Sequence, residues 1–137
     1  MKVNAEIFKE YDIRGRHPKE INKDVVYKVG RAFVNFLKLK RGSRIIVGRD
    51  KRPSSAKLAQ SFVSSLLDSG INIIDIGVVS TPMLYFAVPF FKAKGGAMIT
   101  ASHLAKNNNG IKFTRQDAEP IGGKELQKIY EITKGLR

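Results

Sequence analysis

The sequence predicts a three-layer α/β/α sandwich with a mostly parallel central sheet. Three observations carry that expectation. Short apolar runs rich in β-branched residues alternate with amphipathic segments along the chain. The strand–helix–strand spacing is roughly 30 residues, which implies right-handed crossovers between parallel strands and helices on both faces. The chain has 137 residues, 42% of them hydrophobic, so residues 1–137 read as a single domain that can bury a core.

The elements follow in chain order. Residues 22–38 carry Val25, Val26, Val29, Ala32, Phe33, Phe36 and Leu37 at helical spacing, giving one apolar face. Residues 44–47 form a short β-branched run that ends at Gly48, a strand. Residues 53–68 repeat the helical pattern with Leu58, Phe62, Leu66 and Leu67. Pro53 or Ser54 opens that helix and Gly70 follows its end. Residues 71–76 read as a buried strand. Residues 81–90 predict a helix with Thr81 as N-cap and Pro82 at its first position. Strands are expected over 96–100 and 110–113, and a last helix over 123–134, with Leu126, Ile129, Tyr130 and Thr133 on one side. Ligands in such sheets bind where loops leave the carboxyl ends of strands. Residues 48–55, 77–82 and 101–110 form three such loops, each polar and each holding Ser or Thr.

Composition narrows the function. The formal net charge is +13. It suits attraction of an anionic small molecule such as a sugar phosphate, nucleic-acid binding, or a solvated basic surface facing an acidic partner. Nucleic acid is the weakest of these, because the charges are spread along the chain without the interleaved aromatics of a stacking platform. There is no cysteine, which removes disulfides, thiolate zinc sites and a cysteine nucleophile. No uncharged apolar run approaches the roughly 18 residues needed to span a bilayer. Lys2, Glu6, Lys9 and Glu10 interrupt the first residues, unlike a signal peptide. The expected location is cytoplasmic, without a membrane partner.

The most informative segment runs Gly95-Gly96-Ala97-Met98-Ile99-Thr100-Ala101-Ser102-His103, and then Asn107-Asn108-Asn109-Gly110-Ile111-Lys112. A buried strand delivers two hydroxyls and an imidazole into a loop. The loop returns through an Asn-Gly turn to Lys112. Ser102 there is a nucleophile, a phosphate ligand or a turn residue. Thr100-Ala101-Ser102-His103 resembles the active-site loop of the α-D-phosphohexomutases, the family of phosphomannomutase and phosphoglucomutase. That loop reads T-A/G-S-H-N-P and closes with N-G-x-K, matched here by Asn109-Gly110-Ile111-Lys112. Three further segments agree in order. Tyr11-Asp12-Ile13-Arg14-Gly15 is similar to the family's Y-D-I-R-G. Gly48-Arg49-Asp50-Lys51-Arg52-Pro53-Ser54-Ser55 is similar to its G-x-D-x-R-x-S-S, and Asp75-Ile76-Gly77-Val78-Val79-Ser80-Thr81-Pro82 to its D-x-G-x-x-x-T-P. The four matches span residues 11–112 and correspond to the first of the family's four domains.

The resemblance implies that Ser102 carries a phosphoryl group. It gives that group to a hexose phosphate through a hexose 1,6-bisphosphate, with magnesium as the cofactor. Arg14 and Lys112 are implied at the reacting phosphoryl group and the sugar hydroxyl. His103 is implied as a further catalytic residue, and Thr100, Tyr11 and Asn109 as substrate contacts. Alternatives stay open: Arg14 in a salt bridge with Asp12, Lys112 as a solvated lysine, Arg52 paired with Asp50, and Ser80 and Thr81 as helix caps. Two departures stand out. Leu104 and Ala105 replace the family's Asn and Pro, removing an amide and a backbone restraint. The family's aspartate-rich magnesium loop and its sugar-selecting loops lie in domains that this sequence does not match. The only metal ligand implied here is the phosphate on Ser102. The chain is therefore expected to be inactive as a mutase without further domains, which a second chain could carry. The alternative function is a non-catalytic module that binds phosphosugars or other anions.

Overall fold

A computed structural model describes residues 2–136. Helix α1 spans Lys23–Phe36 and begins where the Asn22 side chain accepts the Val25 amide, which satisfies one of the free donors of the first turn. Helix α2 spans Ser55–Asp68, α3 Thr81–Phe90 and α4 Lys124–Gly135. The strands are β1 Ile13–Arg16, β2 Arg44–Arg49, β3 Asn72–Val78, β4 Gly95–Ile99 and β5 Asn108–Arg115. They form one five-stranded sheet in the order β1-β5-β4-β2-β3.

The sandwich is as expected, and its sheet is mixed. β2 pairs in parallel with both β3 and β4, whereas β5 runs antiparallel to β4 and to β1. Four strands therefore share one direction and β5 alone opposes them. The reason is the connection between β4 and β5. Eight residues are too few for a parallel crossover, which needs a dozen or more, so the chain turns back beside the strand it has just left. Asn109 and Gly110 lie within β5 rather than in the turn expected from the Asn-Gly pair.

Strand alternation sends the two faces of the sheet into different layers. Ile45, Val47, Ala97, Ile99, Ile111 and Phe113 meet α1, α2 and α4 in the larger core. Ile46 and Met98 meet Leu84, Ala87 and Val88 of α3 on the other side. Phe33, Phe62 and Phe113 form an aromatic knot in the larger core, with Phe33 and Phe113 stacked at 4.5 Å between ring centroids.

Three local expectations are corrected. β3 is a half-exposed edge strand, not a buried one, because only β2 flanks it. Ser80, not Thr81, occupies the N-cap of α3, which moves Pro82 to the second helical position. β1 is a strand that the sequence did not suggest. Ile13-Arg14-Gly15-Arg16 carries one apolar residue and no strand periodicity, and its pairing comes from β5, almost a hundred residues away. Among the described residues, no helix is long and apolar enough to cross a membrane.

Candidate active site

The site begins where β4, the middle strand, ends. Thr100 and Ala101 are still buried, and Ser102 emerges exposed in the turn that follows. Its φ is +56°, a left-handed conformation that costs an L-residue about 1–2 kcal/mol unless neighbours hold it. They do. The Ser102 amide donates to Thr100 Oγ1 at 3.0 Å, and the Leu104 amide to the Ala101 carbonyl at 3.1 Å. The Thr100 hydroxyl is bonded in turn to the carboxylate of Asp50, at the end of β2. Asp50 also accepts from the Ser55 hydroxyl at 2.5 Å, the Arg52 amide at 3.0 Å and Arg52 Nε at 3.1 Å. Burial works against the Asp50 charge. Those hydrogen bonds and the nearby guanidinium outweigh it, so the carboxyl is held below its ordinary value.

The far end of the loop is held just as firmly. The His17 amide donates to the Asn107 carbonyl at 2.8 Å, which ties the loop to β1. Asn109 is fully buried. Its amide nitrogen donates to Ser54 Oγ at 2.7 Å and Ser55 Oγ at 3.0 Å, and its carbonyl oxygen accepts from the Gly110 amide. Thr100 and Asn109, the expected substrate contacts, are thus placed with their side chains turned into the protein. Asn109 holds its end of the loop to the start of α2, and Thr100 holds the other end to Asp50. Tyr11 is 75% exposed, and His103 is exposed beside Ser102.

The expected cations come together through sheet register. Arg14 on β1 lies opposite Gly110, and Lys112 lies two residues further along β5. Residues two apart share a face, so Arg14 and Lys112 are diagonal neighbours. Asp12 is 4% exposed beside them. Its carboxylate is 2.8 Å from Arg14 Nε, an ion pair not aligned as a hydrogen bond. A cavity of about 320 Å³ opens at this edge, lined by Glu6, Lys9, Arg14, Arg16, Glu20, Leu104 and Asn108. It brings the Arg14 strand against the Ser102 loop.

Burial pushes the Asp12 carboxyl above its ordinary value of 3.8, against the opposing pull of Arg14, Lys112 and Lys9. A raised folded value means that the folded chain binds this proton more tightly than the unfolded one. The Asp12 contribution to stability therefore falls as pH rises from 3.8 through the raised value. Asp12→Asn is expected to flatten that part of the profile, measured by denaturant unfolding in steps above pH 3.8. An unchanged slope would contradict it.

This arrangement offers an exposed hydroxyl on a hydrogen-bonded loop, and two cations on the neighbouring strands β1 and β5. It suits an anionic group in transfer, where positioning and positive charge matter more than covalent machinery. Among the described residues, no group of three or more His, Asp or Glu side chains is placed to hold a metal ion. The pairs Asp12–Arg14 and Asp50–Arg52 were both open in the sequence and both form. The link from Asp50 to Thr100 was not legible, because it depends on β2 and β4 lying side by side.

Residues 5–137 match the family described as phosphoglucomutase/phosphomannomutase, alpha/beta/alpha domain I. A phosphomannomutase of Klebsiella pneumoniae is 40% identical over 128 residues, which cover 90% of this chain and 80% of that protein. A phosphomannomutase of Vibrio cholerae is 39% identical over 130 residues, covering 90% of this chain and 28% of its own length. A solved phosphoglucomutase/phosphomannomutase family protein from Burkholderia thailandensis superposes with a TM-score of 0.85 at 30% identity, over 96% of this chain and 30% of that one. The chain thus spans under a third of the Vibrio and Burkholderia proteins. It belongs to the phosphoglucomutase/phosphomannomutase family, whose α/β/α domain I it represents.

Proposed function

We propose that this chain is the phosphoserine half of a phosphohexomutase site, with Ser102 as the residue that accepts and returns the phosphoryl group. The observation that carries this reading is Ser102 itself. Its backbone is locked in a left-handed turn while the residue stays exposed, in a loop whose Leu104 and Asn108 line a cavity shared with Arg14. In the forward step a bond forms between Ser102 Oγ and phosphorus, and the bond from phosphorus to one sugar oxygen breaks. The hydroxyl proton of Ser102 ends on the departing sugar oxygen. Phosphorylated Ser102 then gives its phosphoryl group to the free hydroxyl of a hexose monophosphate, whose proton ends on Ser102 Oγ, and the 1,6-bisphosphate so formed returns its other phosphoryl group to Ser102, which leaves the isomer. A phosphoserine adds about −1.5 to −2 charge, and in this reading Arg14 and Lys112 offset it. Arg14 supplies a planar donor fork and Lys112 a point charge.

The relatives of full length carry more than three times this sequence. The isolated chain is therefore expected to lack multiple-turnover isomerisation and to accept phosphate slowly. The test is incubation with a hexose 1,6-bisphosphate, with and without a separately expressed remainder of a full-length relative, followed by intact mass and peptide mapping. One phosphoryl group on the peptide containing Ser102, absent from Ser102→Ala, is the expected result. Phosphate on another residue, unchanged by Ser102→Ala, would refute the assignment. No phosphate under either condition would favour a non-catalytic anion-binding module.

A further inference from the structure

Arg52 stands apart from the other cations at this edge. A guanidinium has five N–H donors and no acceptor, and here all five have protein partners. Nε donates to Asp50 at 3.1 Å. One terminal nitrogen donates to the carbonyls of Ala105 at 2.6 Å and Asn108 at 3.3 Å. The other donates to the carbonyls of Ser102 at 2.8 Å and Leu104 at 2.7 Å. One side chain thus grips four carbonyls of a seven-residue segment. The bonds converge further. The Ser102 amide reaches Asp50 through Thr100, and the Ser102 carbonyl reaches Asp50 through Arg52. Both polar backbone groups of Ser102 trace back to one carboxylate.

We propose that Arg52 is the positioning residue of the Ser102 loop, a clamp that fixes the serine in its left-handed turn and does not itself bind the phosphoryl group. This rests on the reading of Ser102 as the phosphoryl acceptor. A donor set already saturated by carbonyls and a carboxylate has no N–H left for an anion. Its partners are backbone oxygens, which every residue type presents, so the clamp is indifferent to the side chains at 104 and 105. That indifference explains how Leu104 and Ala105 occupy the loop without a proline to stiffen it. Lysine cannot replace the clamp, because an ammonium has three donors on one atom and no planar fork.

The test compares the chain with Arg52→Lys, Arg52→Gln and Arg52→Ala. The first readout is amide hydrogen exchange across 102–108, set against denaturant stability of the whole chain. The second is the rate and concentration dependence of phosphoryl uptake by Ser102 from a hexose 1,6-bisphosphate. The third is recovery of Arg52→Ala by added guanidinium ion. Loop exchange is expected to approach that of an unstructured segment in all three variants, while the sheet stays protected. The maximal uptake rate should fall roughly 100-fold, the scale of a small misplacement in an oriented reaction, at unchanged half-saturating bisphosphate. Guanidinium should restore part of both in Arg52→Ala. Unchanged loop exchange in Arg52→Lys would overturn the clamp. A raised half-saturating concentration with the maximal rate kept would make Arg52 an anion ligand instead, and would also overturn it. If Arg52→Ala fails to fold, the Lys and Gln variants decide. If the unaltered chain takes no phosphate, the reading of Ser102 fails while the exchange data still judge Arg52.

Discussion

Gly110→Ala is expected to cost the chain about 3 kcal/mol or more, the upper range for an overpacked core, and to pull Arg14 away from the site. A Cβ built on Gly110 would lie 1.9 Å from the carbonyl oxygen of Ile13 and 3.1 Å from Arg14 Cα. Both atoms are backbone, so no rotamer change relieves the overlap. β1 and β5 must separate, and β1 is an edge strand of four residues with no other strand partner. Denaturant unfolding and amide exchange of β1 would measure the two effects. Gly135→Ala is the control, because its Cβ would meet nothing within 4 Å. It should change stability by no more than about 1 kcal/mol. A Gly110→Ala chain with the original midpoint and a protected β1 would sink the argument.

That glycine also shows where the sequence could be read and where it could not. Asn109-Gly110 suggests a turn, since glycine is the usual residue for one. The turn lies earlier, and Gly110 is required because two strands approach closely at that point. Local chemistry identified the residue, but only the pairing of β1 with β5 reveals its reason. Long, periodic segments were the most legible. The apolar faces of 22–38 and 53–68 became α1 and α2 within a few residues at each end. Their hydrophobic spacing records a burial that the finished fold then supplies. β1 left no such record, since its one buried residue is Ile13.

The site was legible in its residues and not in its wiring. Ser102, Arg14 and Lys112 stand out by motif, and the structure carries Arg14 and Lys112 on two neighbouring strands and Ser102 on the loop that leads into one of them. The roles of Asp50 and Arg52 as anchors of the Ser102 backbone could not be read in the same way. Their partners are a hydroxyl and four carbonyls fifty residues away. Carbonyls carry no sequence identity, so no motif could name them. Thr100 and Asn109 make the same point in reverse, because buried polar groups need partners and these two found theirs within the protein.

Phe33→Ala should be the most damaging change in the core, and Phe86→Ser should do little, although both are phenylalanines on helices. Phe33 is fully buried. It lies 4.5 Å from Phe113 and 6.0 Å from Phe62 between centroids, so it joins α1 to α2 and to β5. Truncation removes the ring and leaves a cavity between three elements that cannot all move in to fill it. The expected loss is about 3–5 kcal/mol, against a total stability of about 5–15 kcal/mol for an ordinary domain. Phe86 is 60% exposed, on the outer side of α3 with Phe90 and Met83. It stacks on Phe90 at 5.3 Å, a surface pair whose loss should cost about 1 kcal/mol or less. Because Phe113 lies beside Lys112 on β5, the Phe33 cavity should also loosen the strand that carries the site lysine. Denaturant midpoints of the two variants, with exchange of the β5 amides in Phe33→Ala, would separate these expectations. Equal midpoints would mean that residue type rather than burial governs the loss, and would overturn the packing argument.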